Sequence, residues 1–230
     1  HLVSLRHLEN NQVDAALKVL AESNNYPAAD KTEFLQFWIR IAGPNQLDRT
    51  SRERIRDDFI RYVERKIQDE DDVYLTIDLS VLLLLGDRDT AREIARKFEI
   101  DEHDDWGVPQ YQYLQGGSFD AEKLIADCKQ NVAIRPNLAH AYFLLGCDAV
   151  GQGDKRLAKM RFNQCLEQGC FFYWVYWASE AFLSRMENGW ACELQKSDDL
   201  VRAIWNESHK ERIRNDGRIE IDLILKSSFS

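Results

Sequence analysis

The segment 137–169, NLAHAYFLLGCDAVGQGDKRLAKMRFNQCLEQG, constrains the fold more than any other part of the chain. An apolar helical pattern over 138–150 is followed by the turn Gly151-Gln152-Gly153-Asp154 and by a second helical pattern over 155–168. Gly153 stands where a helix end commonly needs a left-handed backbone, which glycine adopts without a steric penalty. The segment therefore predicts two antiparallel helices joined by a tight turn.

Small residues within this segment indicate how closely the two helices pack. Gly146 on the first helix and Ala158 on the second stand where larger side chains would hold the helices apart. With this spacing the segment resembles a tetratricopeptide repeat, although Cys170 stands in place of the usual closing proline. The residues that carry the resemblance are Tyr142, Leu145, Gly146, Gly153, Asp154, Ala158, Phe162, Cys165 (where Ala is usual) and Leu166, and Leu157 and Ala149 are assigned to the same packing faces.

Weaker copies of this unit occur elsewhere in the chain. The small residues Ala91, Ala121 and Ala158 are 30 and 37 residues apart, whereas a strict tetratricopeptide repeat has ~34 residues. Two divergent helical hairpins are predicted over 31–67 and over 171–214, the second beginning with the aromatic sequence FFYWVYW. The resemblance implies an all-α domain over 1–216, a right-handed α-solenoid of antiparallel helical hairpins.

The last residues differ from the rest. Over 217–230, Ile219, Ile221, Leu223 and Leu225 nearly alternate with polar residues, which is the period of a strand. We predict a short irregular or strand-like C-terminal tail there. Three alternatives stay open: it caps the array, pairs with another chain, or belongs to a truncated neighbour.

The composition limits which partners and which cellular compartment we expect for this chain. A net charge of −9 and a pI of about 5.1 disfavour nucleic acid, and no apolar run is long enough for membrane insertion. Five irregularly spaced cysteines fit neither a disulfide framework nor a zinc site, so we expect buried thiols and a cytoplasmic location. Because the chain begins with His1, we interpret it as a processed form or a piece of a longer protein.

The sequence contains none of the common catalytic or phosphate-binding signatures. The sequence has no GxxxxGK[ST] or GxGxxG phosphate loop, no GxSxG nucleophile elbow and no HExxH zinc helix. The acidic run 101–105 resembles a calcium loop, but Trp106 stands where that loop needs glycine. We therefore expect no cofactor, no metal and no enzymatic activity.

The resemblance implies that the first helix of each repeat lines a concave groove. The predicted groove residues are Trp106, Gln110, Tyr113, His140, Phe143 and Cys147. The alternative is that this aromatic stripe belongs to the core. The resulting hypothesis is a non-catalytic scaffold that binds a peptide or protein subunit in the groove, with self-association left open. The alternative hypothesis is a structural accessory segment of a larger protein or complex, which docks through its aromatic C-terminal helices.

Overall fold

Helices make up most of the chain in the computed structural model, and no strand occurs among the residues that it describes. The described residues are 2–10, 12–23, 33–43, 47–68, 75–97, 107–116, 120–131, 133–171 and 173–190. The all-α fold class is thereby confirmed for these residues. The tail 217–230 and the second helix of the hairpin 171–214 lie outside them.

All helices of the described residues are α-helices. In chain order they are α1 (Leu2–Glu9), α2 (Val13–Ser23), α3 (Glu33–Ala42), α4 (Arg49–Gln68), α5 (Leu75–Asp78), α6 (Ser80–Leu84), α7 (Arg88–Ala95), α8 (Val108–Gln115), α9 (Ala121–Gln130), α10 (Ile134–Gly151), α11 (Lys155–Glu167) and α12 (Trp174–Glu187).

Aspartate caps explain where several of these helices begin. The side chains of Asp87, Asp120 and Asp154 accept backbone N–H groups in the first turns of α7, α9 and α11. An aspartate at this position satisfies N–H groups that have no partner within the helix. The chain can therefore begin a new helix immediately after each turn.

Two turns share one geometry. Gly86 and Gly153 both have positive φ, 77° and 70°, and each is followed by the capping aspartate of the next helix. At the second turn, the N–H groups of Gly153 and Asp154 donate to the carbonyls of Val150 and Ala149. This pair of bonds is the Schellman motif, which satisfies the last carbonyls of a helix. The predicted left-handed conformation of Gly153 is thus confirmed.

The core is aromatic where α3, α10, α11 and α12 meet. The ring of Trp38 lies 4.8 Å from that of Phe143, which is 6.0 Å from that of Phe162, and Phe162 is 5.6 Å from Phe182. All four side chains are fully buried. Large aromatic rings contribute much of the apolar area that stabilises such a core.

Contacts also join helices that are distant in sequence. Helix α1 packs against α12, and α6 packs against α10. On α12, the fully buried Arg185 donates from Nε to the carbonyl of Ala42 and from Nη2 to that of Gly43. A guanidinium suits the negative end of the helix dipole and satisfies carbonyls at the C-terminus of α3. In an open stack of repeats, each repeat contacts only its neighbours in sequence. The contacts between distant helices seen here go beyond that pattern.

Candidate functional site

The predicted groove residues lie in the interior wherever the structure describes them. The exposed fraction is 2% for Gln110, 5% for Tyr113, 7% for His140 and 0% for both Phe143 and Cys147. Trp106 lies outside the described residues. The expected exposure of these five side chains is therefore wrong, while the hypothesis that the chain binds a partner does not depend on it.

The position of α10 explains this burial. Every residue from Asn137 to Gly151 is buried, because α6, α9, α11 and α12 surround the helix. A helix that is apolar on all sides is one that the fold encloses. Cys147 reaches Ser80 of α6, and Phe143 joins the aromatic core. The all-round apolarity of 138–150 was visible in the sequence and was the signal against a groove.

Gln110 and Tyr113 hold α8 in place through polar bonds. Nε2 of Gln110 donates to the backbone oxygen of Asn137 at 3.0 Å, and the Tyr113 hydroxyl donates to Oδ2 of Asp148 at 3.0 Å. Arg88 donates to both oxygens of Asp148, at 2.6 and 2.5 Å. Burial, and then the charge of Asp148, raise the pKa of Tyr113, so the phenol stays neutral and keeps its proton for this bond. These groups join α7, α8 and α10.

His140 and Cys147 carry no charge in this environment. Burial lowers the pKa of His140 to about 4, and the ring packs edge-on against Tyr173 at 5.2 Å. Burial raises the pKa of the Cys147 thiol well above its ordinary value. A neutral imidazole and a neutral thiol are packing groups, not a reactive pair. The four described cysteines are free and buried, as expected.

Exposed apolar side chains occur on the hairpin formed by α10 and α11. Among the described residues, the large hydrophobic side chains that are more than a third exposed are Ile134, Leu157, Met160 and Phe171, with 46%, 36%, 45% and 53% of their surface accessible. Leu157 and Met160 lie three residues apart on α11 and therefore share one side of the helix. Ile134 and Phe171 lie at the opposite end of the hairpin.

The placement of Leu157 corrects the sequence analysis. Ala158, Phe162 and Cys165 form the buried stripe of α11, at spacings of four and three residues. Leu157 precedes this stripe by one residue, so its Cα is rotated by about 100° away from it. The assignment of Leu157 to the packing face was therefore wrong. The helical rotation alone contained this information.

A small cavity opens between α8 and α9. Its volume is about 200 Å³, and Pro109, Tyr113 and Leu124 contribute to its walls. Pockets for small-molecule ligands usually have about 300–1,000 Å³. The ion pair of Lys123 with Asp127, 2.7 Å long, lies at this cavity. We assign no ligand to it.

Comparisons with protein-family models, with curated proteins and with solved structures find no match to this chain. Within the described residues, no helix is both long and apolar enough to cross a membrane. The same residues contain no grouping of three histidine, cysteine, aspartate or glutamate side chains that could hold a metal ion. The acidic run 101–105, considered above for calcium, lies outside them.

Proposed function

We propose that the chain is a non-catalytic protein-binding scaffold whose helical hairpins stack as a right-handed solenoid of the tetratricopeptide kind. Support comes from the hairpin of α10 and α11. A Cβ at Gly146 would lie 2.4 Å from Cε1 of Phe162, so the helices approach as closely as the small residue allows. The turn at Gly153 and the cap at Asp154 fit the same motif. Buried free thiols fit a cytoplasmic location for such a scaffold.

A second hairpin supports the repeat interpretation. Helices α6 and α7 are joined by a glycine of positive φ and a capping aspartate, as α10 and α11 are. Ala91 on α7 is fully buried, as is Ala158 on α11. The two hairpins also touch, because a Cβ at Gly151 would lie only 1.8 Å from the carbonyl oxygen of Leu83. Because the hairpin of α8 and α9 lies between them in sequence, this contact is additional to the neighbour stacking of a repeat protein, and the support comes from the shared turn, cap and buried alanine.

The observation that carries the proposal is the exposed apolar pair on α11. Leu157 and Met160 remain accessible on a chain that buries even His140 and Asp148. A contiguous exposed apolar patch marks a surface that binds another protein, and we propose that Leu157 and Met160 belong to one. Since the predicted groove residues are buried, the proposed scaffold holds its partner on this outer face of α11.

A capture experiment with paired variants tests the proposal. The wild-type chain is cross-linked to its partner in a lysate of the source cells and compared with the double variant Leu157→Ser, Met160→Ser. The matched control is Ile134→Ser, Phe171→Ser, which removes two other exposed apolar side chains. We expect a defined protein, or a second copy of the chain, to be lost by the first variant and retained by the control. Retention of the same partner by both variants would place the binding surface elsewhere.

One observation favours the accessory-segment alternative. Phe171 is 53% exposed just before the aromatic helix α12, where the rings of Tyr176 and Trp177, both partly exposed, lie 5.3 Å apart. Rigid aromatic side chains near an accessible surface are common at protein interfaces. If the control variant loses the partner and Leu157→Ser, Met160→Ser keeps it, docking at the start of α12 replaces the first proposal.

A further inference from the structure

Helix α11 is basic although the chain as a whole is acidic. Its sequence, KRLAKMRFNQCLE, contains four cations and one carboxylate, at Glu167, on a chain of net charge −9. Three of the cations, Lys155, Arg156 and Lys159, stand within five residues at its start. A cluster of positive charges on a negatively charged molecule creates a local positive potential, which favours the binding of negatively charged groups.

These three cations have no carboxylate partner within the described part of the chain. Elsewhere, arginines that pack between helices are held by acids: Arg40 binds Asp58 at 2.7 Å, and Arg88 binds Asp148. Among the described residues, no carboxylate forms an ion pair with Lys155, Arg156 or Lys159.

Arg156 shares the exposed side of the helix with the apolar pair, and two further cations lie between that side and the buried stripe. The buried stripe of α11 is formed by Ala158, Phe162 and Cys165. Arg156, Leu157 and Met160 are exposed and lie away from that stripe, whereas Lys155 and Lys159 are partly exposed and lie beside it. Residues three and four apart are neighbours on a helix surface. Arg156 is therefore a direct neighbour of Met160, while Lys159 and Lys155 lie about 100° and 140° around the helix from it.

We propose that this outer face of α11 binds a short acidic protein segment that carries apolar anchor side chains. The inference rests on the proposed function and adds the chemistry of the partner. Leu157 and Met160 supply the apolar contact, and the cations supply orientation and a faster encounter with an acidic segment. Met160 suits such a surface because its flexible thioether adapts to different neighbours.

The charge of the whole chain favours a short segment over an extended anionic surface. A membrane of anionic lipid or a long nucleic acid would approach the acidic remainder of the molecule as well as α11. A peptide that covers only about two turns of one helix avoids that repulsion. We therefore treat vesicles and oligonucleotides as opposing outcomes of the test.

The probe is a fluorescein-labelled synthetic peptide of glutamate, aspartate and leucine, with the leucines at helical spacing. One control peptide replaces the leucines with serine, and another replaces the acids with lysine. Binding is followed by fluorescence anisotropy at low and high salt. We expect the acidic leucine peptide to bind and salt to weaken it, because screening acts on exposed charges. Neither control peptide should bind comparably, and absence of binding by the leucine peptide would overturn the inference.

Two variants of equal net charge locate the binding face. The first is Lys155→Glu, Arg156→Glu, Lys159→Glu, and the second changes the exposed residues Arg54, Lys97 and Lys129 to glutamate. Circular dichroism verifies that both remain helical. We expect the first variant to bind the peptide about tenfold or more weakly than wild type, and the second to lose less than about twofold in affinity. Equal weakening would show a general charge effect and contradict the inference.

Three further outcomes are decisive. The chain could retain phosphatidylserine vesicles or a single-stranded oligonucleotide while it fails to bind the peptide. That result would contradict the inference of a protein segment and indicate a different anionic ligand. If Leu157→Ser, Met160→Ser loses the cellular partner and the triple glutamate variant keeps it, the inference of an acidic partner segment is refuted. The proposed scaffold function would not be affected by that result. Retention of the cellular partner by both variants would refute this face as the binding site.

Discussion

Helices α10 and α11 belong to one hairpin, yet the fold treats them differently. Residues 137–151 of α10 are all buried, whereas α11 buries one stripe and exposes Leu157 and Met160. Both helices show an apolar pattern, but only α10 is apolar on every side. An aromatic residue in a helical hairpin is therefore not necessarily exposed in a groove. Its exposure depends on which helices cover it.

Truncating a side chain at the centre of α10 should destabilise the fold most. Phe143→Ala removes a fully buried ring that packs against Trp38, Phe162 and Phe182. We expect the free energy of unfolding to fall by about 3–5 kcal/mol. Urea denaturation followed by circular dichroism measures it. Phe171→Ala is the matched control, since that side chain is 53% exposed, and equal losses for both variants would contradict the buried position of α10.

The end of α10 gives a second effect of similar origin. In Gly151→Ala the added Cβ would lie 1.8 Å from the carbonyl oxygen of Leu83 and 2.8 Å from the nitrogen of Gly86. Both are backbone atoms, so the hairpins must separate, and we expect a loss of about 3 kcal/mol. Thermal unfolding measures it against Gln152→Ala, a change at the exposed neighbouring residue. An unchanged melting temperature would show that α6 does not pack against α10 in this way.

His140 should make the stability of the buried helix depend on pH. Burial lowers its folded pKa to about 4 from the ordinary value of 6.5, so the unfolded chain takes up a proton first as the pH falls. The stability that this residue contributes is therefore lost below about pH 6.5. The loss reaches about 2 kcal/mol at pH 5. Urea denaturation of wild type and His140→Phe between pH 5 and 7.5 tests the sign. The difference between them should shift in favour of the variant at low pH, and a constant difference would contradict burial of the ring.

Local features of the fold were predictable from the sequence. The helices expected over 138–150 and 155–168 are observed as Ile134–Gly151 and Lys155–Glu167. The first helix of the hairpin predicted over 31–67 is observed as Glu33–Ala42. Glycine turns, capping aspartates and apolar stripes act within a few residues, so they can be recognised without the tertiary structure.

The candidate site was not predictable in the same way. Burial of Phe143 depends on Trp38 and Phe182, which lie far from it in sequence, and Arg185 reaches carbonyls of α3 from α12. The all-round apolarity of 138–150 indicated that the helix is buried, but a single sequence does not show which distant helices bury it. Leu157 is different, because its rotation away from Ala158 could have been calculated from helical geometry alone.

A substitution of Met160, on the exposed side of α11, should change stability least. Met160→Gln replaces a 45% exposed side chain by a polar one of similar length and helix propensity. We expect the free energy of unfolding to change by less than about 0.5 kcal/mol, as is usual for surface positions. Urea denaturation provides the measurement, and a loss comparable to that of Phe143→Ala would mean that Met160 is part of the core. If stability is unchanged while partner capture falls, the apolar character of residue 160 serves binding and not folding.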